Sequence, residues 1–367
     1  INRVIFKQNS LRVVNAFLHG ITQMNTAKFF YLSVLVMPLA NAEPLAEPSD
    51  AFIYQLKESL VKVAVNTKSG GHGFGTGVAV SKDHIVTNCH VVDNANGISV
   101  SKWGVEYAPV SMQADWKHDL CILKFEWADF KPVKMAETDA MQYEQPVISI
   151  SMPADSPAPY VELSAIKALY PMDDGEVIRT KAAFAIGASG SPVFDYSGNL
   201  IGISTFKSPG RNAYFYNMPV KWVRALLQKP AEQFDTAHAL PFWDAPEDAR
   251  PFFMQIVLPF QNSRWADVQK IASHWREVEP NNAEAWFYLG AAAQNQNDST
   301  NALKYFNQAL ALHPNHPPSL QALAMMAQQQ GNATEVNTIR TVLKSVSADA
   351  LKSLDDALGT LQQCTTC

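Results

Sequence analysis

The chain has 367 residues, 47% of them hydrophobic and 17% charged, with a formal net charge of −5. This composition is typical of a folded globular protein and excludes a disordered one, and the length predicts two domains rather than a single core. The charges form no long run of either sign. The sequence therefore lacks the basic surface typical of proteins that bind nucleic acid or an anionic membrane surface.

The first segment with a clear pattern is a secretory signal peptide, predicted over residues 24–42. Lys28 precedes an apolar run, Phe29–Leu39, and a small-x-small end predicts cleavage before Glu43. The run is shorter than the roughly 20 residues that a membrane-spanning helix needs, which disfavours a permanent anchor. Residues 1–23 precede this complete signal and are interpreted as an over-extended start.

Residues 43–228 are predicted to form an all-β domain. Many short β-rich runs follow one another between turn signals, without helical repeats between them, which is typical of a barrel or a sandwich. A helix is predicted over Val220–Gln228. Residues 229–251 contain prolines and no periodicity, and are predicted to be a linker. The β-rich runs are LVKVAV, GTGVAVS, HIVTN, DLCILKF, PVISIS, SPVFD, LIGISTF and AYFYNMP.

Beyond the linker the hydrophobic period is helical, and a 34-residue unit is repeated. Pro280 lies 34 residues before Pro314, and EPNN around the first resembles HPNH around the second. The pattern resembles the tetratricopeptide repeat and predicts an all-α domain over residues 252–362, with a capping helix over Asp349–Gln362 and a tail at 363–367. The positions that carry it are Trp286, Leu289, Gly290, Ala293, Ala302, Phe306 and Ala309, their equivalents Ala272 and Trp275, and a weaker unit with Leu320, Leu323, Ala324 and Ala327.

The stretch AIGASGSPVFD, residues 185–195, places Ser189 among small residues. Glycine and serine are common in tight turns, so the stretch alone favours a turn between strands. A nucleophilic serine needs a base within hydrogen-bond reach, and that base needs a group that fixes its tautomer. The hypothesis of a catalytic serine therefore depends on partners elsewhere in the chain.

The β-rich region contains four histidines that could supply the base. His90 follows a predicted buried strand and precedes apolar residues, where an imidazole without a partner would be costly. His72 lies in a glycine-rich stretch, His84 is interpreted as a turn residue, and His118 is expected to point away from the acid that follows it. His90 is therefore the predicted base.

For the acid, Asp119 stands at the start of the apolar run DLCILKF, where a carboxylate persists only if it is paired. Asp115 and Asp129 have polar neighbours and are interpreted as surface residues. The predicted order is His90, Asp119, Ser189, which is the order of chymotrypsin-like proteases.

The stretches GTGVAVSKDHIVTNCHVV, DLCILK and GASGSPVFDYSGNLIGI together resemble trypsin-like serine proteases of the bacterial HtrA/Deg type. The resemblance covers about residues 52–228 and implies two six-stranded β-barrels with the site in the cleft between them. It implies that His90 is the general base, Asp119 its orienting acid and Ser189 the nucleophile. The backbone N–H groups of Gly187 and Ser189 would form the oxyanion hole.

The sequence departs from this pattern in two ways. Ala188 stands where ordinary trypsins carry an aspartate, so activation by a newly cleaved N-terminus is not expected. HtrA-type proteases usually carry a PDZ domain after the protease, whereas here helical repeats take that place. Regulation by peptide capture in a PDZ domain therefore cannot be carried over.

The resemblance also implies a specificity pocket. Its floor would be Ala183, six residues before the nucleophile, which offers no carboxylate to pair a buried Lys or Arg. Cleavage is therefore predicted after small or medium aliphatic residues, although Lys181 could favour an acidic residue if the loop brings it inward. The opposite wall would be formed by Ile203, Ser204 and Thr205.

The cysteines allow more than one reading. A zinc site made of Cys89, His90, His118 and Cys121 is disfavoured, because adjacent Cys and His side chains point to opposite sides of an extended chain. Cys89 and Cys121 are interpreted as reduced core residues, and a bridge between them in an oxidising compartment is left open. The C-terminal CTTC is interpreted as a local disulfide or two free thiols, not as a redox motif.

The sequence thus predicts a multidomain protein, an all-β double-barrel trypsin-like protease domain followed by an all-α tetratricopeptide-like domain. It is expected to be a secreted, bacterial periplasmic serine endopeptidase that needs no metal or organic cofactor. Its expected partners are protein or peptide substrates and a protein at the repeats, with no nucleic acid and no stable membrane anchor after signal cleavage. An α/β-hydrolase is disfavoured, because Pro192 and a strand follow the serine motif. The alternative is an inactive protease-like scaffold that binds proteins through its repeats.

Overall fold

The computed structural model describes residues 46–137, 140–154, 156, 158–183, 187–234 and 238–364, with side chains to residue 360 in the last helix. The predicted signal peptide, residues 24–42, lies outside what the structure describes, as do Cys367 and the side chain of Cys364. Within these ranges, no helix combines the length and the apolar character needed to cross a membrane.

The first sheet forms the N-terminal half of the β-domain. Its strands pair in the order β5-β4-β1-β2-β3-β7-β6. The turn between β4 and β5 has positive φ at both Trp103 and Gly104, which is typical of a two-residue hairpin. The elements are α1 (Asp50–Lys57), β1 (Leu60–Thr67), β2 (His72–Ala79), β3 (His84–Thr87), α2 (Cys89–Val92), β4 (Ala95–Lys102), β5 (Val105–Tyr107), β6 (Ser111–Asp115) and β7 (Leu120–Lys124).

The second sheet pairs in the order β12-β9-β10-β11-β14-β13-β8, and a further pairing of β12 with β13 closes it into a barrel. The described residues thus give each sheet seven strands rather than the six implied above, because the short edge strands β5 and β8 extend them. The elements are β8 (Lys134–Met135), β9 (Pro146–Ser151), β10 (Tyr160–Met172), β11 (Gly175–Thr180), β12 (Pro192–Asp195), β13 (Asn199–Lys207), β14 (Phe215–Pro219) and the helix α3 (Val220–Leu226).

The C-terminal region is helical, as predicted. Gly290 allows α7 and α8 to pack closely, because a Cβ there would lie 2.6 Å from the Phe306 ring. The predicted capping helix corresponds to α11, and the equivalent positions Ala272 and Phe306 are both fully buried. The helices are α4 (Phe252–Gln255), α5 (Val257–Gln261), α6 (Trp265–Val278), α7 (Ala283–Asn295), α8 (Ser299–Leu312), α9 (Pro317–Gln329), α10 (Ala333–Val346) and α11 (Ala348–Cys364).

The first helices share a hydrophobic core with the second barrel. Phe253 of α4 stacks on Tyr170 of β10 at 4.4 Å between ring centroids, and Trp275 and Tyr288 belong to the same buried cluster as the strands. At the far end, Ser347 donates a hydrogen bond to Glu144, at 2.7 Å. The repeats therefore pack against the barrel instead of extending away from it.

Residues 229–251, which we call the strap, connect the β-domain to the helices. In the described part of the strap the regular structure consists of two 3₁₀ turns, Phe242–Asp244 and Glu247–Ala249, and one backbone bridge. That bridge pairs Glu232 with Met112 of β6. The segment predicted as a linker thus lies along the first sheet.

Candidate active site

The structure brings His90 and Asp119 together. The backbone N–H of His90 donates to Asp119 Oδ1 at 2.8 Å, and its ring Nδ1 lies 2.5 Å from Asp119 Oδ2. The His90 side chain is 33% exposed, whereas Asp119 is 1% exposed. Because Nδ1 faces a carboxylate it carries the proton, which leaves Nε2 as the nitrogen able to accept one.

Local backbone geometry holds Asp119 in this position. Its φ of +58° lies in the left-handed region, which aspartate tolerates better than most residues. Its carbonyl oxygen accepts hydrogen bonds from the Asn88 side chain at 2.8 Å and from the Cys89 N–H at 3.3 Å. The helical turn that carries His90 is thus bonded directly to the acid.

Cys89 and Cys121 form a disulfide, with their Cα atoms 4.8 Å apart. The expectation that both are reduced core residues is therefore wrong, although both are buried. The reason is the pairing of β3 with β7, which sets Thr87 opposite Cys121 and brings the next residues of α2 over that strand. The bridge joins the residue before His90 to the residue two beyond Asp119.

The loop that carries Ser189 packs on β2 of the first sheet. The Thr76 N–H donates to the Ser189 carbonyl at 2.8 Å, and the Thr76 hydroxyl donates to the Gly187 carbonyl at the same distance. At Gly75, an added Cβ would lie 2.6 Å from a Val91 methyl and 3.1 Å from the Ser189 carbonyl oxygen. Glycine at position 75 thus allows the Ser189 loop to pack beside the residue that follows His90.

Gly190 has a backbone conformation that favours glycine, with φ at +87°. A Cβ there would lie 2.1 Å from the Thr76 carbonyl oxygen, so a larger residue would displace the loop from β2. The sequence suggested only that glycine suits a turn here. The close approach to β2 could be seen only in the folded chain.

The Ser189 amide is oriented by the peptide that precedes it. The Ala188 carbonyl accepts a hydrogen bond from the Ser191 N–H at 3.0 Å, and in a trans peptide the Ser189 N–H points the opposite way. Gly187 has φ at +93°, and its N–H belongs to a peptide with residue 186, outside the described ranges. The oxyanion hole remains a prediction.

Among the described residues, neither His90 Nε2 nor the Ser189 hydroxyl has a hydrogen-bond partner. The His90–Asp119 contact of the predicted triad is therefore present among the described residues, whereas a hydrogen bond between the Ser189 hydroxyl and His90 Nε2 is not. Such bonds are often long in enzymes without substrate and shorten when substrate binds. The assignment of Ser189 as nucleophile therefore stays a prediction.

The residues predicted to line the pocket lie on two segments. Ala183 is exposed beyond the end of β11, whereas Ile203, Ser204 and Thr205 are buried in β13. β13 lies beside the serine loop, because the Gly190 N–H donates to the Ser204 carbonyl at 2.8 Å. The Thr205 hydroxyl accepts a hydrogen bond from Asn88 at 3.0 Å, so this side chain faces the first barrel.

Sequence reasoning missed a buried polar network behind Ser204. The Ser204 hydroxyl donates to Asn217 Oδ1 at 2.8 Å, and the Asn217 amide lies 3.2 Å from the Thr180 hydroxyl. An asparagine inside the run AYFYNMP was the available signal. Lys181 lies 3.6 Å from Asp349 of α11 and is mostly exposed, which gives no support to an acidic preference through Lys181.

His118 does point away from Asp119, as expected. Its two ring nitrogens lie 2.9 Å from Asp115 and 2.8 Å from Asp173. Asp115 is therefore not a surface residue, because His118 and the strap cover it. Burial alone would raise the pKa of Asp115, but the hydrogen bond with His118 and nearby positive charge lower it. Asp129, by contrast, is exposed beside Lys82.

The other two histidines stand at turns and ends of strands. His84 contacts Ser81 and Asp83, and His72 contacts Asn66 at 2.8 Å on the exposed edge of β2. The disfavoured zinc site loses two of its ligands to the disulfide. No group of three or more potential metal-ligating side chains occurs within the described ranges.

Comparisons with known proteins agree with this architecture. The family profile of the trypsin-like peptidase domain matches residues 75–203, and that of the tetratricopeptide repeat matches residues 283–316. A Chlamydia trachomatis protein named as a DegP-like periplasmic serine endoprotease is 32% identical over 147 residues, which are 38% of this chain and 29% of that one. The serine endoprotease DegS of Haemophilus influenzae is 26% identical over 211 residues, 55% of this chain and 61% of that one.

Among solved structures, a serine endoprotease from Yersinia pestis matches 48% of this chain and 65% of its own, with 22% identity and a TM-score of 0.43. The chain spans less than a third of the length of the DegP-like relative. By sequence, residues 75–203 match the trypsin-like peptidase domain and are similar to proteins named as DegP-like serine endoproteases, and residues 283–316 match the tetratricopeptide repeat.

Proposed function

We propose that this protein is a serine endopeptidase that hydrolyses peptide bonds of protein substrates through an acyl-enzyme. The observation that carries the proposal is the His90–Asp119 pair, held by two hydrogen bonds on one side of the loop that bears Ser189. In the proposed mechanism, Ser189 attacks the scissile carbonyl while His90 Nε2 takes its proton. Asp119 holds the proton of His90 on Nδ1, so that Nε2 is the nitrogen that accepts the proton of Ser189.

The rest of the proposed cycle needs no metal or organic cofactor. His90 returns the proton to the leaving amine, and water then hydrolyses the acyl-enzyme with the same base. Developing negative charge on the carbonyl oxygen is stabilised by the N–H groups of Gly187 and Ser189.

A fluorophosphonate probe tests the proposal, because it phosphonylates an activated serine without depending on a particular peptide. We expect the purified protein to be labelled and Ser189→Ala to be unlabelled. Ser191→Ala is the matched control, since Ser191 belongs to the same loop but is 0% exposed. Labelling that persists in Ser189→Ala, or its absence from the wild-type protein, would favour the inactive scaffold instead.

For specificity, we propose a pocket between Ala183 and the strand Ile203–Ser204–Thr205 that accepts small or medium aliphatic side chains. Ala183 and the three β13 residues carry no charge, and the network of Ser204 with Asn217 is neutral. The carboxylate beside Ala183 is that of Glu162, which accepts a hydrogen bond from the Ala183 backbone and interacts with the positive charge of Lys181. Profiling of cut sites in a peptide library should show Val, Ala or Leu before the cut. A Lys or Arg signature absent from Ser189→Ala would refute this pocket.

For location and partners, we propose secretion to the bacterial periplasm and a protein or peptide partner at the repeats. The disulfide of Cys89 and Cys121 supports an oxidising compartment. A protein-binding role is typical of tetratricopeptide repeats. Because α4 to α7 share a core with the barrel, the partner would bind near α9 and α11, where a cavity of about 340 Å³ faces β11.

A further inference from the structure

The described parts of the strap contact the segment of chain that leads to Asp119. Lys229 accepts a hydrogen bond from the Gln113 side chain at 2.6 Å through its carbonyl, and His238 stacks on Trp116 at 3.5 Å between ring centroids. The Phe242 N–H then donates to the Lys117 carbonyl at 3.0 Å. These contacts fix the course of the strap up to Trp243.

Trp243 reaches the acid itself. Its indole N–H donates to Asp119 Oδ2 at 3.0 Å, the same oxygen that faces His90 Nδ1. The edge of the indole also packs against the imidazole, with ring centroids 5.6 Å apart. On its other side Trp243 stacks on Phe206 of β13, at 5.7 Å. One residue of the strap thus contacts both members of the pair.

We propose that Trp243 is a positioning residue for the proposed catalytic acid, so that the segment between the protease and the repeats completes the active site. The inference rests on the proposed function of Ser189, His90 and Asp119. Asp119 accepts three donors: the backbone N–H and ring of His90, and Trp243. With both carboxylate oxygens engaged, the side chain cannot rotate without breaking a charge-assisted hydrogen bond.

Tryptophan suits this position for two reasons. The indole N–H is a donor only and does not titrate, so the contact persists at every pH at which Asp119 is ionised. The ring is also large enough to bridge Phe206 and His90 and to keep water from the carboxylate, which is 1% exposed. Trp243 therefore limits the directions from which Asp119 can be solvated.

The test compares Trp243→Phe, which keeps an aromatic ring but lacks the donor, with Trp286→Phe. Trp286 also donates one indole hydrogen bond, to the Pro280 carbonyl at 2.8 Å, but does so in the repeats. We expect Trp243→Phe to lower kcat and the fluorophosphonate labelling rate about tenfold, with KM nearly unchanged. Trp286→Phe should leave all three values unchanged.

A pH profile separates positioning from a general loss of structure. Without the indole donor, more negative charge on Asp119 faces the imidazole and favours its protonated form, so the acid limb of kcat/KM should move to higher pH. The position of this limb does not depend on the folded fraction of the variant. The comparison keeps constant the ionisable residues that neighbour the pair along the chain and those that neighbour Trp243 on the strap, which are Asp93, Asp115, Lys117 and His118, and His238 and Asp244.

The outcomes separate the inference from the function on which it rests. Labelling of the wild-type protein but not of Ser189→Ala, with Trp243→Phe unchanged in rate and pH profile, would overturn the inference alone. An equal fall in Trp243→Phe and Trp286→Phe would also overturn it, as a general effect of losing an indole donor. If the wild-type protein is not labelled, the proposed function fails first, and the inference fails with it.

Discussion

Several histidines of this protein face carboxylates, and two of these pairs, His90 with Asp119 and His316 with Glu284, lie in contrasting surroundings. His90 is 33% exposed, lies 2.5 Å from Asp119, and has a second nitrogen with no partner among the described residues. His316 is 0% exposed and lies 3.0 Å from Glu284, which is 1% exposed. A histidine–carboxylate contact therefore does not by itself indicate catalysis.

In the buried pair, both ring nitrogens of His316 have hydrogen-bond partners. The other nitrogen of His316 contacts the Ser319 hydroxyl at 2.8 Å, and Tyr143 of the β-domain donates to Glu284 at 3.0 Å. Burial raises the pKa of Tyr143 far above its ordinary range, which keeps it a donor. This second pair thus joins α7, the residue before α9 and the loop before β9, and it leaves neither nitrogen of His316 without a partner.

The largest expected effect comes from breaking the exposed pair. Asp119→Asn keeps the size of the side chain but favours the wrong tautomer of His90, and we expect kcat to fall by about 10⁴-fold. Folding should change little, because Asn can still accept the His90 backbone N–H. Steady-state kinetics normalised to titrated active sites will measure this.

Asp115→Asn is the matched control, since Asp115 also accepts a hydrogen bond from a histidine, His118. It should retain wild-type kcat per active site. If Asp115→Asn loses activity while Asp119→Asn does not, Asp115 is the catalytic acid, and the exposed His90–Asp119 pair is not the catalytic pair.

A smaller effect, on stability rather than on turnover, is expected from Glu284→Gln. Removing the charge of a buried pair typically costs about 3–5 kcal/mol, because the partner is left uncompensated. We expect a free energy of unfolding lower by about this amount at pH 7, measured with urea, and wild-type kcat at temperatures where the variant is folded. Glu277→Gln is the control, as its contact with His274 is exposed and worth at most about 1 kcal/mol.

The stabilisation by the Glu284 charge should depend on pH, in a direction set by the pKa of this carboxyl group. Burial alone would raise the pKa of Glu284, but the hydrogen bond from His316 and nearby charges outweigh it and lower the pKa below its ordinary value of 4.5. The unfolded chain therefore binds a proton more readily, so the stabilisation is complete above pH 4.5 and is lost as the pH falls through the lower folded value. The difference in the free energy of unfolding between the wild-type protein and Glu284→Gln should therefore become smaller as the pH is lowered. A difference that does not change with pH would contradict a charged pair.

Local pattern was sufficient for a large part of the molecule. The short β-rich runs predicted most of the strands. The 34-residue spacing predicted the helices and their buried positions, such as Ala302 and Phe306. His90 and Asp119 could be paired because an unpartnered imidazole or carboxylate beside apolar runs is costly. Each of these inferences depends on residues that are close in the sequence or on a repeat.

Contacts between distant segments decided the rest. Trp243 lies 124 residues from Asp119, in a stretch without periodicity, and nothing local indicates its donor role. The disulfide depended on the pairing of β3 with β7. The burial of Asp115 depended on the strap, which contacts it through Lys229. The Glu284–His316 pair forms within the repeats, and Tyr143 of the β-domain adds a hydrogen bond to Glu284 from 141 residues away.

The sequence by itself determined the two kinds of domain and the residue types of the proposed site, because hydrophobic period and short motifs are local properties of the chain. Only the tertiary structure decided which histidine–carboxylate pair is partly exposed to solvent and which is buried. The surroundings of the two carboxylates include contacts between segments more than a hundred residues apart, Tyr143 with Glu284 and Trp243 with Asp119. Those distances in sequence leave no local pattern to read, since burial and hydrogen bonding arise only when the barrel and the helices pack.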